Sequence, residues 1–262
     1  MSSEPIRLSI DAGVAELTLA NPDMNRLNRA VLDGLRSVLP RLREPDVRAV
    51  LLTGEGAVFS YGADVKELFA ETPRADLHRL LGEYIGFISE MEALPKPTIA
   101  AVHGACSSGG LELALGFDHL WAAAGTKIGF MEASLGIPPL AGGVQRIAAR
   151  AGSARALEIA GAARLYDAET FERWNIVNRV TAAEALHSEA RAFAARLASG
   201  PTRAYAAIKA MLRRYEESGV RAADQITLPT VMPLIDSNDA RESVSALLKG
   251  GPKALPIRFT GS

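Results

Sequence analysis

Cysteine is nearly missing from this chain: Cys106 is the only one in 262 residues. That excludes an intramolecular disulfide framework and a zinc cluster built on thiolates. A reducing, cytoplasmic setting follows as an expectation. Long hydrophobic runs are missing too, and without an uninterrupted stretch of about 18 apolar residues no membrane span is expected. The opening Met1-Ser2-Ser3-Glu4-Pro5 lacks the basic-then-apolar pattern of a signal peptide. Net charge is small, since 29 basic and 30 acidic side chains leave -1. Neither nucleic acid nor an anionic membrane is attracted globally, so an anionic ligand has to be held by a local site. Basic and aromatic residues do not cluster as an RNA-binding surface requires. No histidine–carboxylate spacing suggests a metal site.

What is present is ordinary for a soluble globular protein, with 48% hydrophobic and 23% charged residues. Ile6 to Ile10 and Val14 to Leu19 read as a hairpin joined by Asp11-Ala12-Gly13. Val31, Leu35, Val38 and Leu42 give a helix from about Arg29 to Leu42. Val47 to Thr53 is a strand. Asp64 and Glu67 form a capping box for a short helix through Phe69. After the polar, mobile segment Glu71 to Arg74, a helix runs to about Leu94, where Pro95-Lys96-Pro97 stops it. Strands follow at Thr98 to Val102 and Leu120 to Ala124, with a helix between them from Gly110 to Gly116. From Gly142 the pattern is mostly helical, apart from a β-like insertion at Ile176 to Val180. Pro201 suits the first turn of a helix reaching Glu217. Residues 1–200 are thus expected to form an α/β core, and residues 201–262 a helical region.

Two loops have the small residues that let backbone N–H groups approach a ligand. One is Ser60-Tyr61-Gly62-Ala63-Asp64; the other is Ser107-Ser108-Gly109-Gly110-Leu111-Glu112. Facing one another, they could form an oxyanion hole; separately, each is an ordinary strand–helix turn. Glu112 lies about one turn inside its helix, and Glu132 sits among apolar neighbours in Ile128-Gly129-Phe130-Met131-Glu132-Ala133. A carboxyl against an apolar wall gains a raised pKa suited to acid–base work. The plainer alternative for either glutamate is a salt bridge or solvation.

Three blocks, in order and at matching spacing, resemble one family. Ala100-Ala101-Val102-His103-Gly104 with Gly109-Gly110-Leu111-Glu112-Leu113-Ala114 is the first. Phe59-Ser60-Tyr61-Gly62-Ala63-Asp64-Val65-Lys66-Glu67 is the second. Glu132, Leu135-Gly136 and Gly142-Gly143-Val144-Gln145-Arg146 make the third. The chain resembles the crotonase (enoyl-CoA hydratase/isomerase) superfamily over nearly its whole length, and enoyl-CoA hydratases most.

The resemblance implies a crotonase-like spiral of ββα units with a helical C-terminal region that forms trimers, alone or paired as hexamers. It implies that the N–H groups of Ala63 and Gly109 hold a thioester oxygen. Glu112 would activate water for Cβ of a trans-2-enoyl-CoA, and Glu132 would deliver a proton to Cα. Coenzyme A enters as part of the substrate and no tightly bound cofactor is implied. The coenzyme segments correspond to Arg26, Leu27, Gly62, Asp64, Val65 and Lys66, with Leu140 at the acyl end. Isomerases and decarboxylases of the same family are the alternative. Departures from the family pattern are Pro138, Leu140 in place of a glycine, and Ser107-Ser108 where Leu-Gly or Val-Gly is common. Leu140 either narrows the pocket or faces away from it.

The rival from another class is a serine hydrolase, because Ala105-Cys106-Ser107-Ser108-Gly109 loosely resembles a nucleophile elbow. Its only later histidines are His119 and His187, and His187 lies in a polar, solvated stretch. Cys106 and His103 read as packing and turn residues. A non-catalytic binding protein on the same fold is the remaining alternative.

Overall fold

The computed structural model describes residues 4–255 and 258–261. The sequence reading of a missing leader rests partly on residues 1–3, outside the described residues, as do 256, 257 and 262 of the C-terminal region. The first half comprises β1 (Ile6–Asp11), β2 (Val14–Leu19), α1 (Arg29–Arg43), β3 (Ala49–Gly54), α2 (Arg74–Ala93), β4 (Thr98–Val102), β5 (Ala105–Ser107) and α3 (Gly109–Leu115). Then come β6 (His119–Ala123), β7 (Lys127–Gly129), α4 (Gly143–Ala151), α5 (Ser153–Ala162), β8 (Leu165–Asp167), α6 (Ala168–Arg173), β9 (Arg179–Thr181) and α7 (Leu186–Ala198). The chain ends in α8 (Thr202–Ser218), α9 (Val220–Ile235) and α10 (Asn238–Gly250).

Six strands form one sheet in the order β1-β2-β3-β4-β6-β9, and three form a second in the order β5-β7-β8. The chain alternates between the sheets: β4 then β5 then α3, and β6 then β7 then the α4–α5 pair. This is the repeating ββα turn expected of a crotonase-like spiral. β1 and β2 are antiparallel, whereas β2 through β9 in the large sheet pair in parallel. Parallel strands are covered on both faces, which is why β3 and β4 are apolar almost throughout and their side chains nearly all buried. One face packs on α7 through Leu186, Ala190, Ala194 and Ala198 against Leu51, Ile99, Ala101 and Trp121. The other face carries the larger core, including Leu52, Ala100, Val102 and Leu120.

Several local expectations change. β1 and β2 extend to an Asp11–Val14 pair, leaving a two-residue turn. Ala12 and Gly13 both have positive φ, 48° and 79°, as a type I′ turn demands. The Asp64 box is half formed: Asp64 Oδ1 accepts from Glu67 N at 3.0 Å, but Glu67 Oε1 accepts from Arg29 N. The short helix is a π-helix over Lys66–Glu71. Of the expected strand Ile176 to Val180, only its end belongs to β9. The Ile176 carbonyl instead accepts from the Arg150 guanidinium, and pairing with β6 starts where Asn178 N donates to Leu120 O. β7 and β8 went unseen because three residues are too few to show alternation.

Helices α8 to α10 follow Gly200. Polar contacts tie α8 and the segments flanking these helices to the core. Lys209 Nζ donates to Lys96 O and Asp118 Oδ2, and Arg48 donates to the carbonyls of Ala198, Gly200 and Thr260.

Candidate active site

Two isolated bridges, Leu27–Ala63 and Ser60–Cys106, stitch three distant segments together. Leu27 N donates to Gly62 O, and Asp64 N donates to Leu27 O. Ser60 N and Ser107 N complete the second bridge by donating to Ala105 O and Ser60 O. The buried Ser60 hydroxyl donates to Asn25 O at 2.7 Å and accepts from Gly62 N at 3.1 Å. Close approach needs glycine here. A Cβ on Gly110 would lie 2.6 Å from Ser60 Cβ, and one on Gly62 would lie 2.7 Å from Ser108 Cβ. A Cβ on Gly109 would be 3.7 Å from Ala63 N, so the two loops face each other across a few ångströms. Neither Ala63 N–H nor Gly109 N–H donates to an acceptor among the described residues. Two unsatisfied donors side by side are what an oxyanion hole requires.

Ala63 and Gly109 both line an apolar cavity of about 290 Å³. Of the residues expected from sequence, Arg26, Leu27, Ala63, Val65, Gly109, Glu112, Glu132 and Leu140 line it. Leu140 also lines the neighbouring groove with Pro139, Arg146 and Lys209, so it stands between the two. Gly62, Asp64 and Lys66 are not among its lining residues. Gly62 sits behind the wall, Asp64 caps the π-helix, and the exposed Lys66 ammonium lies 3.3 Å from Glu71.

Glu112 is 2% exposed and Glu132 8%, so both carboxyls are held in low dielectric. Glu112 Oε1 accepts from Ala141 N at 2.7 Å and Gly143 N at 3.0 Å, while no described residue donates to its Oε2. Burial, reinforced by the nearby Glu132 charge, pushes Glu112 up to about 7 against the two N–H donors. Burial also raises Glu132, opposed by hydrogen bonds that include Met131 N to Oε2 at 2.9 Å. The loop that grips Glu112 is fixed in turn by Arg146. Its guanidinium forks onto both Glu92 oxygens at 2.6 Å and donates to the carbonyls of Ala141 and Gly142.

A family model for enoyl-CoA hydratase/isomerase matches residues 9–252. The chain belongs to that family. Among its relatives, a probable enoyl-CoA hydratase of Bacillus subtilis is 32% identical over 93% of this chain and 95% of its own length. A carnitinyl-CoA dehydratase of Citrobacter koseri is 34% identical over the same shares. The crystal structure of an enoyl-CoA hydratase from Bacillus anthracis superposes with a TM-score of 0.92 at 27% identity, covering 98% of this chain and all of that one. Membership makes the chain an enzyme of the enoyl-CoA hydratase/isomerase family.

Within this hydratase/isomerase frame, sequence reasoning missed Tyr84. Its buried hydroxyl donates to Gly109 O at 2.7 Å, holding the peptide that follows the unsatisfied Gly109 N–H. Tyr84 falls on the buried stripe of α2 with Leu77, Leu80, Phe87, Ile88 and Met91. Only its hydroxyl, a buried polar group needing a partner, signals anything beyond packing. The hydrolase rival loses its histidines: His119 packs edge-on against Phe193, and His187 meets Glu16 on the surface. Cys106 is fully buried, and burial drives its thiol far above the reactive range.

Two carboxyls on one cavity, both raised by burial, and one of them also by the charge of the other, titrate as a pair if they couple strongly. If turnover requires one proton on the pair, kcat/KM falls as pH rises through about 7, where Glu112 surrenders the last one. It falls again on the acid side, where the second carboxyl is protonated. A pH series of initial rates checks this, and a rate that keeps climbing from pH 6 to 9 contradicts it.

Proposed function

We propose that the chain hydrates the double bond of a trans-2-enoyl-CoA through a thioester enolate. The observation that carries this is the pairing of two facing N–H donors, Ala63 and Gly109, with two buried carboxyls on one cavity. The thioester oxygen accepts from both N–H groups and gains charge as the enolate forms. Glu112 takes a proton from water as its oxygen bonds to Cβ, and Glu132 gives its proton to Cα. The pair ends with the proton on Glu112, the carboxyl with the strongly raised pKa. That distribution is the starting state for removing water from a 3-hydroxyacyl-CoA, so the same site serves both directions. A relative named for dehydration fits this reading.

Coenzyme A needs no cofactor beside it and enters with the substrate. Arg26, which lines the cavity and whose Nε lies 3.4 Å from Asp23 Oδ2 without making a hydrogen bond, is the residue we assign to the anionic coenzyme. Leu140 limits the acyl end. A homotrimer or pair of trimers is supported by α9, which has no buried residue yet carries Leu228, Met232 and Ile235 largely exposed. A cytoplasmic setting accords with the one buried thiol, Cys106. No helix among the described residues is long and apolar enough to cross a membrane.

Crotonyl-CoA tests the reading through the absorbance of its conjugated thioester. The band disappears with the wild type and persists with Glu132→Gln, a loss of about 10²–10⁴-fold in rate. A wild type that binds acyl-CoA yet leaves the band unchanged would transfer the assignment to isomerisation or decarboxylation.

A further inference from the structure

The serine-hydrolase pattern in the sequence aligned Ser107 with a nucleophile, but the structure points to its neighbour. Ser107 is the buried last residue of β5, engaged in the bridge to Ser60. Ser108 is the turn between β5 and α3 and has φ 52° and ψ −129°, a left-handed conformation that side chains rarely adopt and that marks functional turns. Two hydrogen bonds impose it: Ser108 N donates to Gly129 O at 2.9 Å, and Glu112 N donates to Ser108 O at 3.0 Å. The family pattern commonly has glycine here, so the hydroxyl is a property of this chain and not a need of the backbone.

That hydroxyl lies on the cavity wall. Ser108 Oγ and Glu132 Oε2 both accept from the single Met131 N–H, at 3.4 and 2.9 Å, so the two oxygens converge on one point. The residue after Ser108 is Gly109, whose N–H is half of the unsatisfied donor pair. A strand–turn–helix serine followed immediately by an oxyanion donor, with a second donor on a facing loop, is the geometry of a nucleophile elbow. A neighbouring carboxylate supplies the base that the absent histidine does not.

We propose that Ser108 is a nucleophile and that the enzyme has a second, thioesterase activity on acyl-CoA. Ser108 Oγ attacks the thioester carbonyl carbon, and its proton passes to Glu132. The carbonyl oxygen sits on the N–H groups of Ala63 and Gly109. The C–S bond breaks, coenzyme A leaves as the thiol with the proton from Glu132, and an acyl ester remains on Ser108. Water then attacks the ester, Glu132 takes its proton and returns it to Oγ, and a carboxylic acid departs. No redox change occurs and water is the only co-reactant.

Butyryl-CoA is the probe, because it has no double bond to hydrate and its hydrolysis liberates a thiol. Cys106, being fully buried, adds no background to a thiol reagent. The expected result is steady thiol release by the wild type, with a butyryl group on the peptide containing Ser108 after rapid acid quenching. Release falls by about 10²-fold or more in both Ser108→Ala and Ser108→Gly, checked against retained butyryl-CoA binding. Glycine suits the left-handed turn, so that variant keeps the fold where alanine strains it. The proposal is overturned if the wild type releases no thiol, if the acyl group is found on Glu132, or if either variant releases thiol at a rate near the wild type. The proposal shares its oxyanion donors with the hydration reading but breaks a different bond. Activity on crotonyl-CoA with none on butyryl-CoA overturns this proposal alone, and the reverse overturns hydration alone.

Discussion

Glu112→Gln lowers hydration of crotonyl-CoA by at least about 10²–10⁴-fold while leaving binding of the thioester near the wild-type value. The amide oxygen can still accept from Ala141 N and Gly143 N, which Glu112 Oε1 now does, so the Gly142 loop keeps its anchor. An amide cannot take a proton from water, and the step at Cβ is lost. The decisive measurement is kcat at saturating substrate beside an independent dissociation constant. Hydration that survives the substitution removes Glu112 from the mechanism. A loss shared equally by binding would mean that the carboxylate shapes the cavity instead of acting on water.

Gly62→Ala has the second large effect, although Gly62 lies behind the cavity wall. Its φ is +86° and the added Cβ would meet Ser108 Cβ at 2.7 Å, Ser107 O at 2.9 Å and Gly109 N at 3.2 Å. No flexible side-chain end absorbs that contact. The methyl group forces the two oxyanion loops apart and moves Ala63 N away from Gly109 N. Losing one such donor costs about 10²–10³ in rate, and this change disturbs both. Because charge on the thioester oxygen grows only along the reaction, kcat falls more than the affinity for a saturated acyl-CoA. Turnover matching the wild type would show that these N–H groups are not the oxyanion donors.

Much of this site was legible in the sequence because its chemistry is carried by the backbone and by spacing. Gly62-Ala63 and Gly109-Gly110 are small where two loops must meet, and the requirement is sterically strict: no Cβ fits at Gly62 or Gly110. Glu112 and Glu132 stood out as carboxyls amid apolar residues, and both are buried. The long parallel strands were readable because burial on both faces leaves them uniformly apolar. What escaped depends on contacts made far along the chain. Tyr84 is indistinguishable from a core residue until its hydroxyl reaches Gly109 O. The role of Arg146 emerges only when Glu92, 54 residues away, completes its fork. Lys66, expected beside the coenzyme, lies exposed on the surface 3.3 Å from Glu71. Ser107 and Ser108 both fall in the elbow-like run, and burial and backbone dihedrals separate the two.

The bridges Leu27–Ala63 and Ser60–Cys106 also bear on how the enzyme comes into being. Each joins stretches that must find one another across an intervening helix or strand, and the carboxylate anchor from Ala141 N to Glu112 spans 29 residues more. Contacts of such separation form only after the entropy of closing their loops has been met, and parallel sheets are slow for the same reason. Both facing donors, Ala63 N and Gly109 N, precede Gly116 in the chain, whereas the loop that seats Glu112 and the carboxyl of Glu132 follow it. A ribosome-bound chain that has not yet reached Gly143 lacks the N–H groups that seat Glu112, so catalytic competence arrives late and nearly all at once. Recovery of activity is therefore a reporter of completed folding, whereas helix content recovers ahead of it.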